Sequence, residues 1–184
     1  MIRRAAGGVE TGMDDGAWRQ DGMRSAGTAR LLCDAMLAGL ARWLRAAGHD
    51  TALAGEGRPD AEVLARGRAE GRLLLTRDRR LAEETPGGDV LLLGSDDLDA
   101  QAAELVRRLG LDWTHNPFSR CMLDNTPLRP AGPADLAAIP EAARTLPGPF
   151  RSCPCCGRVF WPGSHVRRME ARLRGWKGGT PAVR

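Results

Sequence analysis

Cys153-Pro-Cys155-Cys156-Gly157 is the stretch of this chain with the most chemistry in the fewest residues. Cys153 and Cys156 stand in C-x-x-C spacing with Gly157 behind them. That spacing lets two thiolates hold one tetrahedral ion, because the turn between them aims backbone N–H groups at the sulfurs. Upstream, Cys121-Met-Leu-Asp124-Asn125 repeats the spacing with an aspartate in the second ligand position. The two knuckles predict a small metal-stapled module holding one Zn²⁺ through Cys121, Asp124, Cys153 and Cys156. A carboxylate oxygen binds zinc, although structural sites favour sulfur and nitrogen. The odd count of five cysteines, three of them within four residues, is metal spacing and not a secreted disulfide framework.

Acids form the second constellation. Asp34 follows a short apolar run, Asp78 follows a longer one two residues behind Thr76, and Asp96 lies in Ser95-Asp96-Asp97 after a third. Asp60 opens a helical pattern. If those apolar runs are parallel strands, their carboxyl ends gather the acids along one edge, where ligands collect in such sheets. Asp34, Asp60, Asp78 and Asp96 would then need a divalent cation among them, and oxygen-only ligation selects Mg²⁺ or Mn²⁺. Such ions activate water for phosphodiester hydrolysis. Arg42, Arg45 and Arg77 are candidates to hold phosphates in bidentate fashion. Each acid also has a plainer reading as a helix N-cap. Asp97 and Asp99 read as turn and cap residues, and Glu62 as a solvated first-turn acid. His49 reads as a surface-loop residue and His115 as part of a linker. For His165 three roles stay open: an RNA contact, a fourth zinc ligand in place of Asp124, or none.

The elements that must position these residues alternate. Arg30–Cys33, Asp50–Leu53, Arg72–Thr76 and Asp89–Leu93 are short apolar runs that read as strands. Between and after them come helical patterns: Met36–Ala47, with Met36, Leu37, Leu40, Trp43 and Leu44 on one face and Gly48 as its stop; a helix opened by Pro59-Asp60; and Asp99–Leu109, followed by Gly110. This β-α-β-α succession predicts an α/β fold with a parallel central sheet covered on both faces. After Trp113 the texture changes to frequent Pro and Gly with short strands. Leu136–Arg144 reads as one short helix and residues 165–176 as a terminal helix with a basic face. Phe150 reads as core of the small module, and Phe160 and Trp161 either as core or as platforms for stacking bases.

With 184 residues, 42% of them hydrophobic, the chain fits one medium domain and a small appendage. The expected organisation is a mobile extension over residues 1–28, an α/β domain over 29–116, the ribbon with its helix over 117–176, and a frayed tail over 177–184. Charge is unevenly spread. Residues 29–116 carry 12 Arg against 15 acids, whereas residues 117–184 carry 11 basic residues against four acids. An acidic core with a basic tail suits a protein that holds cations in one part and grips a polyanion with the other. No stretch reaches 18 apolar residues and no signal peptide is evident, so the sequence predicts no membrane span and a cytoplasmic location.

Several blocks, in order and spacing, resemble the Mut-seven C-terminal RNase domain family: Asp34 to Arg45 (DAMLAGLARWLR), Gly48-His-Asp50-Thr51, Leu74-Leu-Thr76-Arg77-Asp78, Ser119-Arg120-Cys121, and Cys153 through His165. The resemblance covers about residues 30–175. It implies a PIN-like three-layer fold followed by a zinc ribbon, and a metal-dependent ribonuclease with Asp34, Asp60, Asp78 and Asp96 as its Mg²⁺ or Mn²⁺ site. It also implies four cysteines in the ribbon, from which Asp124 departs. RNA is the partner this reading expects, with Arg42, Arg45, Arg77, Arg120, Arg158, His165, Arg167 and Arg168 against it. Two other readings are a PIN-like RNA-binding or ribosome-associated module that does not cleave, and a toxin-like nuclease.

Overall fold

A computed structural model describes residues 29–85 and 87–177. The expected extension over residues 1–28, and the tail beyond Lys177, lie outside the described residues.

Four short strands form a wholly parallel sheet in the order β2-β1-β3-β4. They are β1 (Leu31–Cys33), β2 (Thr51–Leu53), β3 (Leu73–Thr76) and β4 (Val90–Leu92). The register pairs Leu31 with Thr51 and with Leu73, and Leu74 with Val90. The two central strands are buried at every position, as expected for strands covered on both faces. Their side chains alternate between two cores. Leu31, Cys33, Leu73 and Leu75 face α1 (Ala38–Ala46) and α4 (Leu98–Leu109). Leu32 and Leu74 face α2 (Asp60–Ala69) and α3 (Arg79–Glu83). One turn of 3₁₀ helix, Ala35–Leu37, links β1 to α1. It turns Met36 out to 54% exposure, so Met36 leaves the apolar face that periodicity assigned it.

Two helix stops have different physical grounds. Gly110 ends α4 in the left-handed conformation at φ +60°, the usual C′ geometry. Gly48, just past α1, has φ +97°, and a Cβ there would lie 2.2 Å from the Asn116 carbonyl oxygen. Conformation and close approach both demand glycine at that position.

Beyond α4 the chain builds an antiparallel sheet, β5-β6-β7, from β5 (Arg129–Pro130), β6 (Arg151–Ser152) and β7 (Val159–Phe160). Between β5 and β6 lie α5 (Pro133–Ala137) and α6 (Glu141–Arg144). The sequence pattern predicts one helix there; Pro140 divides it, having no N–H to carry a helix through. The last helix, α7 (Ser164–Lys177), leaves the ribbon and packs on the main core through Met169, Leu173 and Trp176. Trp176 meets Trp43 edge-on at 4.9 Å between centroids and Trp113 at 4.7 Å. The terminal helix is therefore part of the α/β core as well as the end of the ribbon.

Candidate metal centres and the ribbon interface

The two knuckles are superposable in their local bonding. In the first, Cys121 N–H donates to Thr126 O at 2.8 Å and Asn125 N–H donates to Cys121 O at 3.0 Å. In the second, Cys153 N–H donates to Arg158 O at 2.9 Å and Gly157 N–H donates to Cys153 O at 3.0 Å. The fifth residue of each has positive φ, +71° at Asn125 and +70° at Gly157. Their four ligand atoms converge: one from each of Cys121, Asp124, Cys153 and Cys156, all within 4.8 Å of one another. Cys121 Sγ lies 3.7 Å from Cys156 Sγ, and Cys153 Sγ lies 3.3 Å and 3.5 Å from the two Asp124 oxygens. A zinc tetrahedron with ordinary bond lengths has S···S edges of about 3.8 Å and S···O edges of about 3.5 Å. The residues therefore fit a metal ion such as zinc. Burial disfavours the Asp124 carboxylate, but hydrogen bonds from Thr126, Cys121 and Cys153 outweigh it and hold its carboxyl well below the usual range. Cys155 is exposed and His165 lies outside the cluster, in the exposed first turn of α7.

Asn125, where the second knuckle has glycine, is used twice. Its Oδ1 accepts from Thr51 N–H at 3.0 Å and its Nδ2 donates to Asp50 Oδ1 at 2.7 Å. Arg45 completes the joint. Only 5% exposed, it donates from Nε to Thr51 O and from Nη1 to Met122 O and Leu123 O. This corrects the expectation of a phosphate-holding Arg45: its fork is spent bracing the first knuckle against β2. Asp50 also pairs with Arg72 at 2.8 Å and Arg30 at 3.2 Å. Burial disfavours its carboxylate, yet the Arg72 and Asn125 hydrogen bonds and the Arg72 and Arg120 charges bring it down to about 2. Asn125 and Asp50 escape spacing arguments. The signal for Asn125 is its alignment with Gly157, since asparagine tolerates the left-handed region.

The acids take two different placements. Asp34 and Asp78 sit where the strand order reverses, beyond the carboxyl ends of the adjacent strands β1 and β3. Thr76 joins them: its Oγ1 donates to Asp34 Oδ2 at 2.7 Å and accepts from Asp78 N–H at 3.0 Å. Asp78 Oδ1 caps α3 by accepting from Leu81 N–H. Each carboxylate keeps one oxygen without a protein donor among the described residues. Asp60 is exposed at the start of α2, and Asp96 is 82% exposed, 4.0 Å from Arg77 Nη2. Among the described residues, only the cysteine cluster brings three or more ligand atoms within 4.8 Å, so the four acids do not close into one such group. Asp97 caps α4 through Ala100 N–H, as its position predicts. Beside Asp34, burial pushes the Cys33 thiol up to about 12, Arg45 opposing and Asp34 adding to the rise. Cys33 is thus a protonated core residue and no nucleophile.

The remaining basic residues divide as well. Arg42, Arg158 and Arg168 are exposed and make no ion pair among the described residues. Arg167 donates to Pro162 O at 3.1 Å, and Arg120 to Asn125 O at 3.0 Å. Arg172 pairs with Asp99 at 2.7 Å and lies over the Trp43 and Trp176 rings. His49, expected in a surface loop, is 3% exposed, holds Asp112 O through Nε2 at 2.9 Å and stacks on His115. Among the described residues, no helix is long and apolar enough to cross a membrane.

The human protein described as "Exonuclease mut-7 homolog" is 24% identical across 231 aligned positions, which take in 83% of this chain and 26% of that protein. The chain thus spans about a quarter of this relative's length. No solved structure matches it. The description "Mut7-C RNAse domain" matches residues 29–173, most of the chain, and the chain belongs to that family.

Proposed function

We propose that this chain is a Mg²⁺- or Mn²⁺-dependent ribonuclease with a PIN-like fold, its reaction centred on Asp34 and Asp78. The observation that carries the reading is the Asp34–Thr76–Asp78 linkage at the strand-order reversal. Ligands of open α/β sheets bind at that crevice. An all-oxygen donor set with one open oxygen on each carboxylate suits a hard divalent cation. Once bound, such an ion supplies an activated water and neutralises charge at the phosphate. The protein's own part is positional. Thr76 fixes Asp34 and the start of α3 fixes Asp78, so neither carboxylate has to be ordered when substrate arrives. Asp60 and Asp96, exposed beyond β2 and β4, are the further acids this reading assigns to the cation.

The test is cleavage of a labelled RNA pool in Mn²⁺ by Asp34→Asn and Asp78→Asn. Asparagine accepts the same hydrogen bonds from Thr76 and Leu81, so both variants stay folded. Activity falls more than about a hundredfold, beyond the loss typical of an outer-shell partner. Wild-type rates in both would sink the assignment. The second reading, RNA binding without cleavage, is favoured because the group of three or more ligand side chains found among the described residues is the cysteine cluster and not the acids. Tight RNA binding by a wild-type protein inert in both metals would select it.

A further inference from the structure

At the junction of ribbon and α7 lies a cavity of about 310 Å³ lined by aromatic and proline side chains. Phe118, Phe160, Trp161, Pro162 and Val166 form its walls, and Arg151 stands at its side. Arg151 and Phe160 face each other across the β6–β7 ladder. The Arg167 guanidinium donates to the carbonyl of Pro162, one of the lining residues. The one acid in the lining, Glu170, is paired with Arg174 at 2.6 Å.

The walls are set in advance. Gly163 N–H donates to Trp161 O at 2.8 Å, and a Cβ on Gly163 would stand 3.3 Å from Trp161 Nε1, so the indole rests against a bare backbone. Phe118 is held at φ +56°, a conformation a bulky residue rarely adopts, by its N–H bond to Ala46 O at 2.8 Å. Such strain persists where surrounding structure imposes it, often at ligand clamps.

We infer that this cavity takes one unpaired nucleobase of a single-stranded RNA, stacked on Trp161 and Phe160, with Arg151 and Arg167 on the flanking phosphates. This rests on the ribonuclease reading and adds a subsite remote from its acids. The volume lies at the small end of ligand sites, about 300–1,000 Å³, enough for one base and its sugar. A flat aromatic wall beside arginines is the arrangement that binds single strands regardless of sequence. The surrounding segment, residues 117–184, carries 11 basic residues against four acids. Phe118 is bonded to the end of α1, which is the amino-end edge of the sheet, whereas Asp34 and Asp78 lie at the carboxyl-end edge. An RNA engaging both places must therefore run along the protein.

The test compares binding of single-stranded oligouridylate with that of the same sugar-phosphate strand lacking bases. Trp161→Ala should weaken oligouridylate binding about tenfold to a hundredfold and leave the abasic strand unchanged. Trp161→Phe should restore most of it, and it is the unchanged abasic-strand binding that excludes a folding defect. Thiouridine-substituted RNA should crosslink to Phe118, Phe160 or Trp161. In cleavage, Trp161→Ala should raise KM for the oligomer without changing kcat, and should not affect a dinucleotide, too short to reach the cavity. Unchanged binding in Trp161→Ala, crosslinks confined to other segments, or displacement only by a proline-rich peptide would overturn the inference. If those results came with wild-type cleavage intact, the nuclease reading would stand without the subsite. A wild-type protein that neither binds nor cleaves RNA would remove both.

Discussion

Arginine shows most plainly how one residue type divides by environment in this chain. Arg168 projects from α7 into solvent, and Arg172, one turn further on, lies over two tryptophan rings with its guanidinium on Asp99. The same charge therefore has opposite uses. Arg172→Ala should destabilise the protein by about 2–3 kcal/mol, by removing an aromatic contact and leaving Asp99 without that cation. Arg168→Ala should leave the melting temperature unchanged and weaken RNA binding. Calorimetry alongside a binding isotherm separates the two, and the result is wrong for this structure if Arg172→Ala melts like wild type. Neutralising Arg158, Arg167 and Arg168 together should flatten the log–log salt dependence of RNA binding by about 0.7 per lost single-strand contact.

At the scale of elements, the first knuckle is both half of the candidate metal site and a wedge against β2. Asp124→Cys should tighten zinc binding in a competition assay with a chromogenic chelator, and Asp124→Ala should loosen it, since a thiolate replaces or no group replaces the carboxylate oxygen. Equal affinity in all three proteins would mean that Asp124 is not a ligand. Asp50 governs the wedge. Its carboxyl sits at about 2 in the folded protein, below the ordinary value of about 3.9. A depressed carboxylate contributes its stability in full above the unfolded value and loses it as pH falls through the folded one. The contribution, about 2 kcal/mol, is therefore present above about pH 4 and gone near pH 2. Asp50→Asn should lower stability at neutral pH and flatten the stability curve between pH 4 and pH 2. A parallel, undiminished pH dependence in the variant would place the acid sensitivity elsewhere.

Over the whole molecule, α7 ties ribbon to core. Trp176, 2% exposed, touches Trp43 and Trp113 and donates from Nε1 to Asp99 at 2.8 Å. Trp176→Ala should cost about 3–5 kcal/mol by opening a cavity in the main core. Because Met169 and Leu173 lie in that same core, the loss should appear as one cooperative transition for sheet and helix, not as separate melting of an appendage. Two resolved transitions in the wild type would show that ribbon and core are independent.

Local chemistry made much of this legible in the residues. Strands β1, β3 and β4 were readable as apolar runs because a parallel sheet buries both faces, and the cluster of three cysteines and Asp124 was readable because knuckle geometry is set within five residues. The family resemblance rests on the same local blocks. What spacing could not decide were relations between segments distant in the chain. Arg45 looks like a solvent-facing helical cation until Met122 and Leu123, nearly eighty residues away, supply carbonyls for it. His49 looks like a loop residue until Asp112 and His115 close over it. Asp34, Asp78 and Asp96 are alike as post-strand aspartates, yet only Asp34 and Asp78 share Thr76, because β1 and β3 are neighbours in space and not in sequence. Periodicity reports which side of an element is apolar; only the packed chain determines which polar groups are left to face one another.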